Sequence, residues 1–152
     1  MYPLGHIGIT LLISNLLVRK YKLNWNARFI VLASILPDIL DKPLGLIGIG
    51  GGRFFFHSIL FIVFLFFIRK ELFFGSTVHL ILDRMWEEPK VLFYPILGFY
   101  IGGKVFPVDF IQFFLENPYS QIGEIVGLIS LVMVKSLDHL EQILLKVKIR
   151  YL

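Results

Sequence analysis

Cysteine is absent from the 152 residues. This excludes a disulfide framework, a thiolate metal site and a cysteine nucleophile, and it leaves any metal to nitrogen and oxygen ligands. Charge is scarce as well: Asp, Glu, Lys and Arg make up 17% of the chain, against about 25% in an ordinary soluble domain. A chain so poor in charge is neither disordered nor a coiled coil. What fills the space is apolar, with 57% hydrophobic residues, sixteen Phe and a mean hydropathy of +0.78, and that excess points to a membrane protein. The net charge of +4 would suggest nucleic acid in a soluble chain. Here the Lys and Arg residues fall between apolar runs, as membrane flanks do, and no nucleic-acid partner is expected.

The cleanest run is 54–68, closed by Arg53 on one side and by Arg69 and Lys70 on the other. As a helix it reaches about 22 Å, so it crosses a bilayer only if those cations snorkel or the bilayer thins. Similar runs recur at 4–18, 27–40, 72–82, 91–103 and 119–134. They predict an all-α integral membrane protein, a bundle of about 4–6 transmembrane helices with a C-terminal amphipathic helix. Residues 1–135 form the expected transmembrane domain. Residues 136–152 form the expected tail, with Ser136 as N-cap and Leu137, Leu140, Ile143, Leu144 and Val147 on one face. The segment 105–115 reads as interfacial. Arg19, Lys20, Lys22 and Arg28 fall on the same side as Arg69 and Lys70, and the positive-inside rule makes that side cytoplasmic in a multi-pass protein of the cell membrane.

Ionisable groups inside apolar segments are costly and call for a partner or a function. His6, Asp38, His57, His79 and Asp83 all fall near one end of their segments once helix direction alternates, which places them on the extracytoplasmic side. Taken singly, each histidine reads as a hydrogen-bonded core residue and Asp38 as a helix cap. Together, three imidazoles and two carboxylates suit a divalent metal, zinc first, with manganese or iron served by the same ligands. His79 and Asp83, spaced i, i+4, share one helix face. Asp41 is a further ligand or a general base, with Glu87 as the second candidate base. Arg53, alongside Lys42 and Arg84, is the candidate partner of a phosphate.

The residues GHIGIT at 5–10, LPDILDK at 36–42, GRFFFHS at 52–58 and HLILDRMWEEPKVLFYP at 79–95 resemble the membrane-bound metal-dependent hydrolases, also described as LexA-binding, inner membrane-associated hydrolases. The resemblance covers about the first two-thirds of the chain. It implies that His6, Asp38, His57, His79 and Asp83 are metal-site residues and that the activity is hydrolytic. It departs from the motif at Gly52, where many members carry His, and at Phe54 and Phe56.

The expected function is therefore a membrane-embedded metal-dependent hydrolase. Metal-activated water would attack a phosphoester or ester of an amphiphilic, lipid-like substrate, with Asp41 and Arg53 in catalytic roles. Membrane lipid and an amphiphilic small molecule are the expected partners, and self-association into a homo-oligomer is left open. The rival is a non-enzymatic membrane protein that uses the polar cluster for ion binding or transport, or as a scaffold. Glu124, the one deep acid outside the cluster, is the residue on which an ion path would rest.

Overall fold

The computed structural model of the protein describes residues 1–98 and 102–150, and among them it contains helices and turns but no strand. The first helix, α1 (Pro3–Tyr21), starts with proline at a position whose N–H would be unsatisfied in any case. Its next two free N–H groups, those of Leu4 and Gly5, donate to the Glu124 carboxylate at 3.2 and 2.7 Å. It stops where Lys22 adopts a left-handed φ of 51° and the Leu23 N–H turns back to the Val18 carbonyl. Next comes α2 (Ala27–Leu46), capped by the Asn26 side chain, which accepts from the Arg28 N–H at 3.0 Å. Two short 3₁₀ turns, Gly50–Gly52 and Phe55–His57, lead into α3 (Ile59–Ile68) and α4 (Lys70–Leu82). The chain then forms α5 (Pro89–Leu92), α6 (Pro107–Glu116) and the long α7 (Pro118–Arg150).

Two parallel helix pairs set the architecture. Along α2 and α4 the Asn26 N–H donates to Glu71, Ser76 Oγ donates to the Ala33 carbonyl, and His79 meets the Ser34 carbonyl, so the two helices run the same way. Gly75 permits this approach, since a Cβ there would sit 2.5 Å from that of Ala33. Along α1 and α7 the register is likewise parallel. Gly8 faces Gly127 near one end, while near the other Arg19 reaches Asp138 and Glu141, each at 2.7 Å. A Cβ on Gly8 would lie 2.0 Å from the Gly127 carbonyl oxygen. Backbones in contact through small residues are how helices associate where water offers no hydrophobic drive.

The apolar side chains buried inside are few. Ile62, Leu80, Met85 and Val91 form a small cluster where α3, α4 and α5 meet. Outside, α3 exposes Phe64, Phe66 and Phe67, the last 79% exposed, and α7 exposes Ile122, Ile125 and Ile129. Such outward apolar faces suit contact with lipid.

Several expectations change. Among the described residues one helix, Pro118–Gln142, is long and apolar enough to cross a membrane, and a second qualifies if Gly50–His57 and Ile59–Ile68, bent by 43°, count as one span. The expected 4–6 spans are therefore not what helix length and composition show. The run 54–68 is not one helix, because Ser58 ends the 3₁₀ turn and caps α3 by accepting from the Phe61 N–H. The expected crossing over 91–103 begins as the single turn α5 and includes residues 99–101, which lie outside the described residues. The tail does not start a new helix. Residues 135 and 136 lie inside α7, where Ser136 Oγ donates to the Val132 carbonyl instead of capping. The side chains of Ile143, Leu144 and Val147 lie outside the described residues.

Candidate metal centre

Pro37 shapes the site locally. Having no N–H, it leaves the Ala33 carbonyl without its helical donor, and Ser76 Oγ takes that carbonyl at 3.1 Å. One residue on, the Ser34 carbonyl receives His79 Nδ1 at 2.7 Å. A carbonyl can only accept, so His79 carries its proton on Nδ1 and turns a bare Nε2 inward. His57, at the end of the 3₁₀ turn before α3, is fixed in the same way: its Nδ1 donates to Asp41 Oδ2 at 2.6 Å. The two Nε2 atoms then face each other 3.2 Å apart, both rings fully buried. Two nitrogens so close are accommodated by a shared proton or by a metal ion between them.

Carboxylates complete the group. Asp38 Oδ1 lies 3.6 Å from His57 Nε2 and 3.9 Å from His79 Nε2, and Asp83 Oδ2 lies 3.9 and 4.0 Å from the same atoms. All four ligand atoms fall within 4.8 Å of one another, so Asp38, His57, His79 and Asp83 could hold a metal ion. Ligands at 2.0–2.2 Å in a tetrahedron sit about 3.3–3.6 Å apart. The site is thus slightly wider than a closed zinc shell, and its two imidazoles and two carboxylates are donors that zinc accepts. Cations stand against both carboxylates. Lys42 Nζ takes Asp38 Oδ2, the oxygen turned away from the centre, at 2.7 Å, and Arg53 reaches Asp83 Oδ2, the oxygen that faces the centre, at 3.1 Å and Glu88 Oε1 at 2.6 Å.

His6, the fifth expected ligand, stands outside that group. Its ring stacks on His79 with centroids 4.0 Å apart, and its Nε2 is 3.0 Å from Asp83 Oδ1, the oxygen that also meets the amino group of Met1. Asp41 is not placed as a base. It is fully buried behind His57, and its Oδ2 also accepts the Phe54 N–H at 2.8 Å, so it orients the imidazole and does not reach open space. Glu124 is not a free acid in an ion path, because it caps α1. Gly52, the departure from the motif, has a φ of 81°, which favours glycine, and its backbone packs against Gly45.

Over Asp38 and Asp83 opens a cavity of about 580 Å³, lined also by Lys42, Arg53, Glu87 and Phe110. Arg84 does not line it; it pairs with Glu87 and lies over the Tyr119 ring. Two contributors escape sequence reasoning: Glu88, which steadies Arg53, and the Ser34 carbonyl, which fixes His79. Ser34 lies one turn before Asp38, so the helical period is the signal that could place it on the same face.

No curated protein and no solved structure matches the chain. The resemblance of the four motifs to LexA-binding metal-dependent hydrolases is overturned by comparison with family models, because the match found is described as an inner membrane protein and brings neither LexA binding nor hydrolysis with it. That match runs over residues 1–140, and the chain belongs to the YdjM inner membrane protein family.

Proposed function

We propose that the protein is a membrane-embedded, metal-dependent hydrolase acting on a phosphoester or related ester of an amphiphilic substrate. The observation that carries this reading is the facing pair of Nε2 atoms, 3.2 Å apart beneath a cavity that also holds the Arg53 guanidinium. A divalent ion bound there, zinc by ligand chemistry, supplies Lewis acidity and makes water nucleophilic near neutral pH. The chain's own groups do the rest. Asp41 and the Ser34 carbonyl hold the two imidazoles in the ligating tautomer. Lys42 and Arg53 neutralise negative charge over Asp38 and Asp83, and the planar Arg53 fork is suited to two oxygens of one phosphate. Glu87, which lines the cavity and pairs with Arg84, would exchange protons with water there.

The purified protein in detergent is expected to retain about one equivalent of metal per chain and to hydrolyse ester or phosphoester substrates. That activity should disappear on chelation and return with zinc. Absence of retained metal, or hydrolysis indifferent to the chelator, would overturn the reading.

The orientation is part of the proposal. Arg19, Lys20, Lys22, Arg28, Arg69 and Lys70 gather at the end of the bundle away from the centre, so that end faces the cytoplasm and the cavity opens on the extracytoplasmic side. A cysteine introduced as Asn24→Cys, in a chain with no other, is expected to resist an impermeant thiol reagent in intact cells and to react after lysis. Equal labelling in both conditions would reverse the orientation.

A further inference from the structure

Helix α6 has no buried residue, yet it is one wall of the cavity. At about 100° per residue its side chains fall into three stripes. Phe110, Phe113 and Phe114 occupy one sector of about 100°. This is the side that meets the protein: the Phe114 ring packs edge-on against Tyr2 at 5.0 Å, the Tyr2 hydroxyl donates to the Phe110 carbonyl, and Phe110 and Phe113 line the cavity. Val108, Ile111 and Leu115 occupy a second sector of about 60°, and all three are more than half exposed. Asp109, Gln112 and Glu116 fill a third sector of similar width, about 60°, and are exposed and polar, with Asp109 at the cavity edge.

A helix buried in protein needs one apolar stripe, and a helix in water needs no second one. The described residues leave the second stripe on α6 mostly uncovered, and the helix that follows carries an exposed apolar face of its own. Two residues after Glu116, α7 begins, the one described helix that passes as a membrane span without a bend, with Tyr119, Ile122 and Ile125 exposed along its first turns. An aromatic residue at the start of a span marks the level of the headgroups. Helix α6 is therefore held at the height where the span leaves the bilayer, with one stripe for water, one for lipid and one for the cavity.

We infer that α6 lies in the membrane interface and sets the cavity mouth in the headgroup layer, so that the cavity takes its ligand sideways from the bilayer as the headgroup of a membrane lipid. The occupant of the Val108, Ile111 and Leu115 stripe is the acyl boundary of the leaflet. Phe110 and Phe113 then form the passage for the first carbons of a lipid whose polar head reaches Arg53 and Lys42. The identity of the ligand rests on the proposed hydrolase reading; the placement of α6 does not.

The absence of cysteine makes a direct test available. Single-cysteine variants Ile111→Cys, Leu115→Cys and Gln112→Cys, spin-labelled and reconstituted in vesicles of phosphatidylethanolamine and phosphatidylglycerol, report contact with dissolved oxygen and with an aqueous nickel chelate. The oxygen-to-chelate ratio is expected to be several-fold higher at 111 and 115 than at 112. In the same vesicles a phospholipid with a diazirine near its headgroup is expected to cross-link within residues 105–116. Equal ratios at the three positions would overturn the interfacial placement. Cross-links confined to the outer faces of α3 and α7 would overturn sideways admission. Metal content of the same sample reads the hydrolase proposal separately: cross-linking within 105–116 without retained metal removes the hydrolase and keeps sideways admission of lipid, while retained metal without that cross-linking does the reverse.

Discussion

Asp83→Asn is expected to empty the centre. The substitution keeps the shape of the side chain and removes the charge, and it does so at the residue where most of the site meets: Oδ2 faces His57, His79 and Arg53, and Oδ1 faces His6. Losing a hydrogen-bonding partner behind a metal ligand costs roughly 10–100-fold in affinity. Losing a charged ligand from a set of four should exceed that range. Asp41→Asn supplies the graded comparison, because Asp41 touches the centre only through His57 Nδ1, and its loss should fall within the same roughly 10–100-fold window. Asp138→Asn, on the far end of α7 against Arg19, should leave metal untouched. Titration against a competing chelator, with elemental analysis of the purified variants, orders the three. Full wild-type metal content in Asp83→Asn would make the cluster structural.

A second large effect is expected at Gly8. Replacing glycine by alanine inside a helix ordinarily gains about 1 kcal/mol in propensity. Here the new Cβ would arrive 2.0 Å from the Gly127 carbonyl oxygen, a backbone atom that cannot rotate aside, so α1 and α7 must separate. Overpacking costs about 1–3 kcal/mol, and Gly8→Leu should reach or pass the upper end of that range. The loss spreads along the seam, because the Glu124 cap on Leu4 and Gly5 and the Arg19 pairs with Asp138 and Glu141 share one register. Gly103→Ala is the control, since a Cβ there meets nothing within 4 Å. Thermal unfolding in detergent compares them, and an unchanged midpoint for Gly8→Leu would show that the seam is not tight.

The convergence of the ionisable residues is legible in the sequence because a histidine or aspartate buried in an apolar run is too costly to stand without a partner, and alternating helix direction brings the ends together. Which atom each residue presents is not legible. Asp38 and Asp41 lie three residues apart on α2, yet one faces the centre and the other backs His57, a distinction made by the turn at Phe55–His57 and not by spacing. His6 has the same chemistry as His57 and His79, but stacking on His79 turns it to the opposite oxygen of Asp83. Glu124 looks like a deep acid because its partners are backbone N–H groups more than a hundred residues away. The spacing of Gly123 and Gly127, one turn apart on one face, is the signal in the sequence for that contact. The length of α7 is hidden for a different reason. Polarity rises near residue 135, and rising polarity marks where a helix leaves its apolar surroundings, not where it ends.

The sorting of charge along the bundle has an electrical consequence. Arg19, Lys20, Lys22, Arg28, Arg69 and Lys70 stand at one end, and Asp38, Asp41, Asp83, Glu87, Glu88 and Glu124 at the other. The basic end keeps its excess after Glu71, Asp138 and Glu141 are counted, whereas Lys42, Arg53, Arg84, Lys90 and Lys104 nearly balance the acids of the other end. Across a polarised membrane, one elementary charge carried through the full potential is worth about 2.3 kcal/mol per 100 mV. The two opposite insertions of this molecule therefore differ in energy by several charge-crossings, and the voltage favours the one with the basic end on the negative side. In the proposed orientation an energised membrane would hold the molecule in that sense, and collapsing the potential would remove that part of the bias without touching a single contact inside the fold.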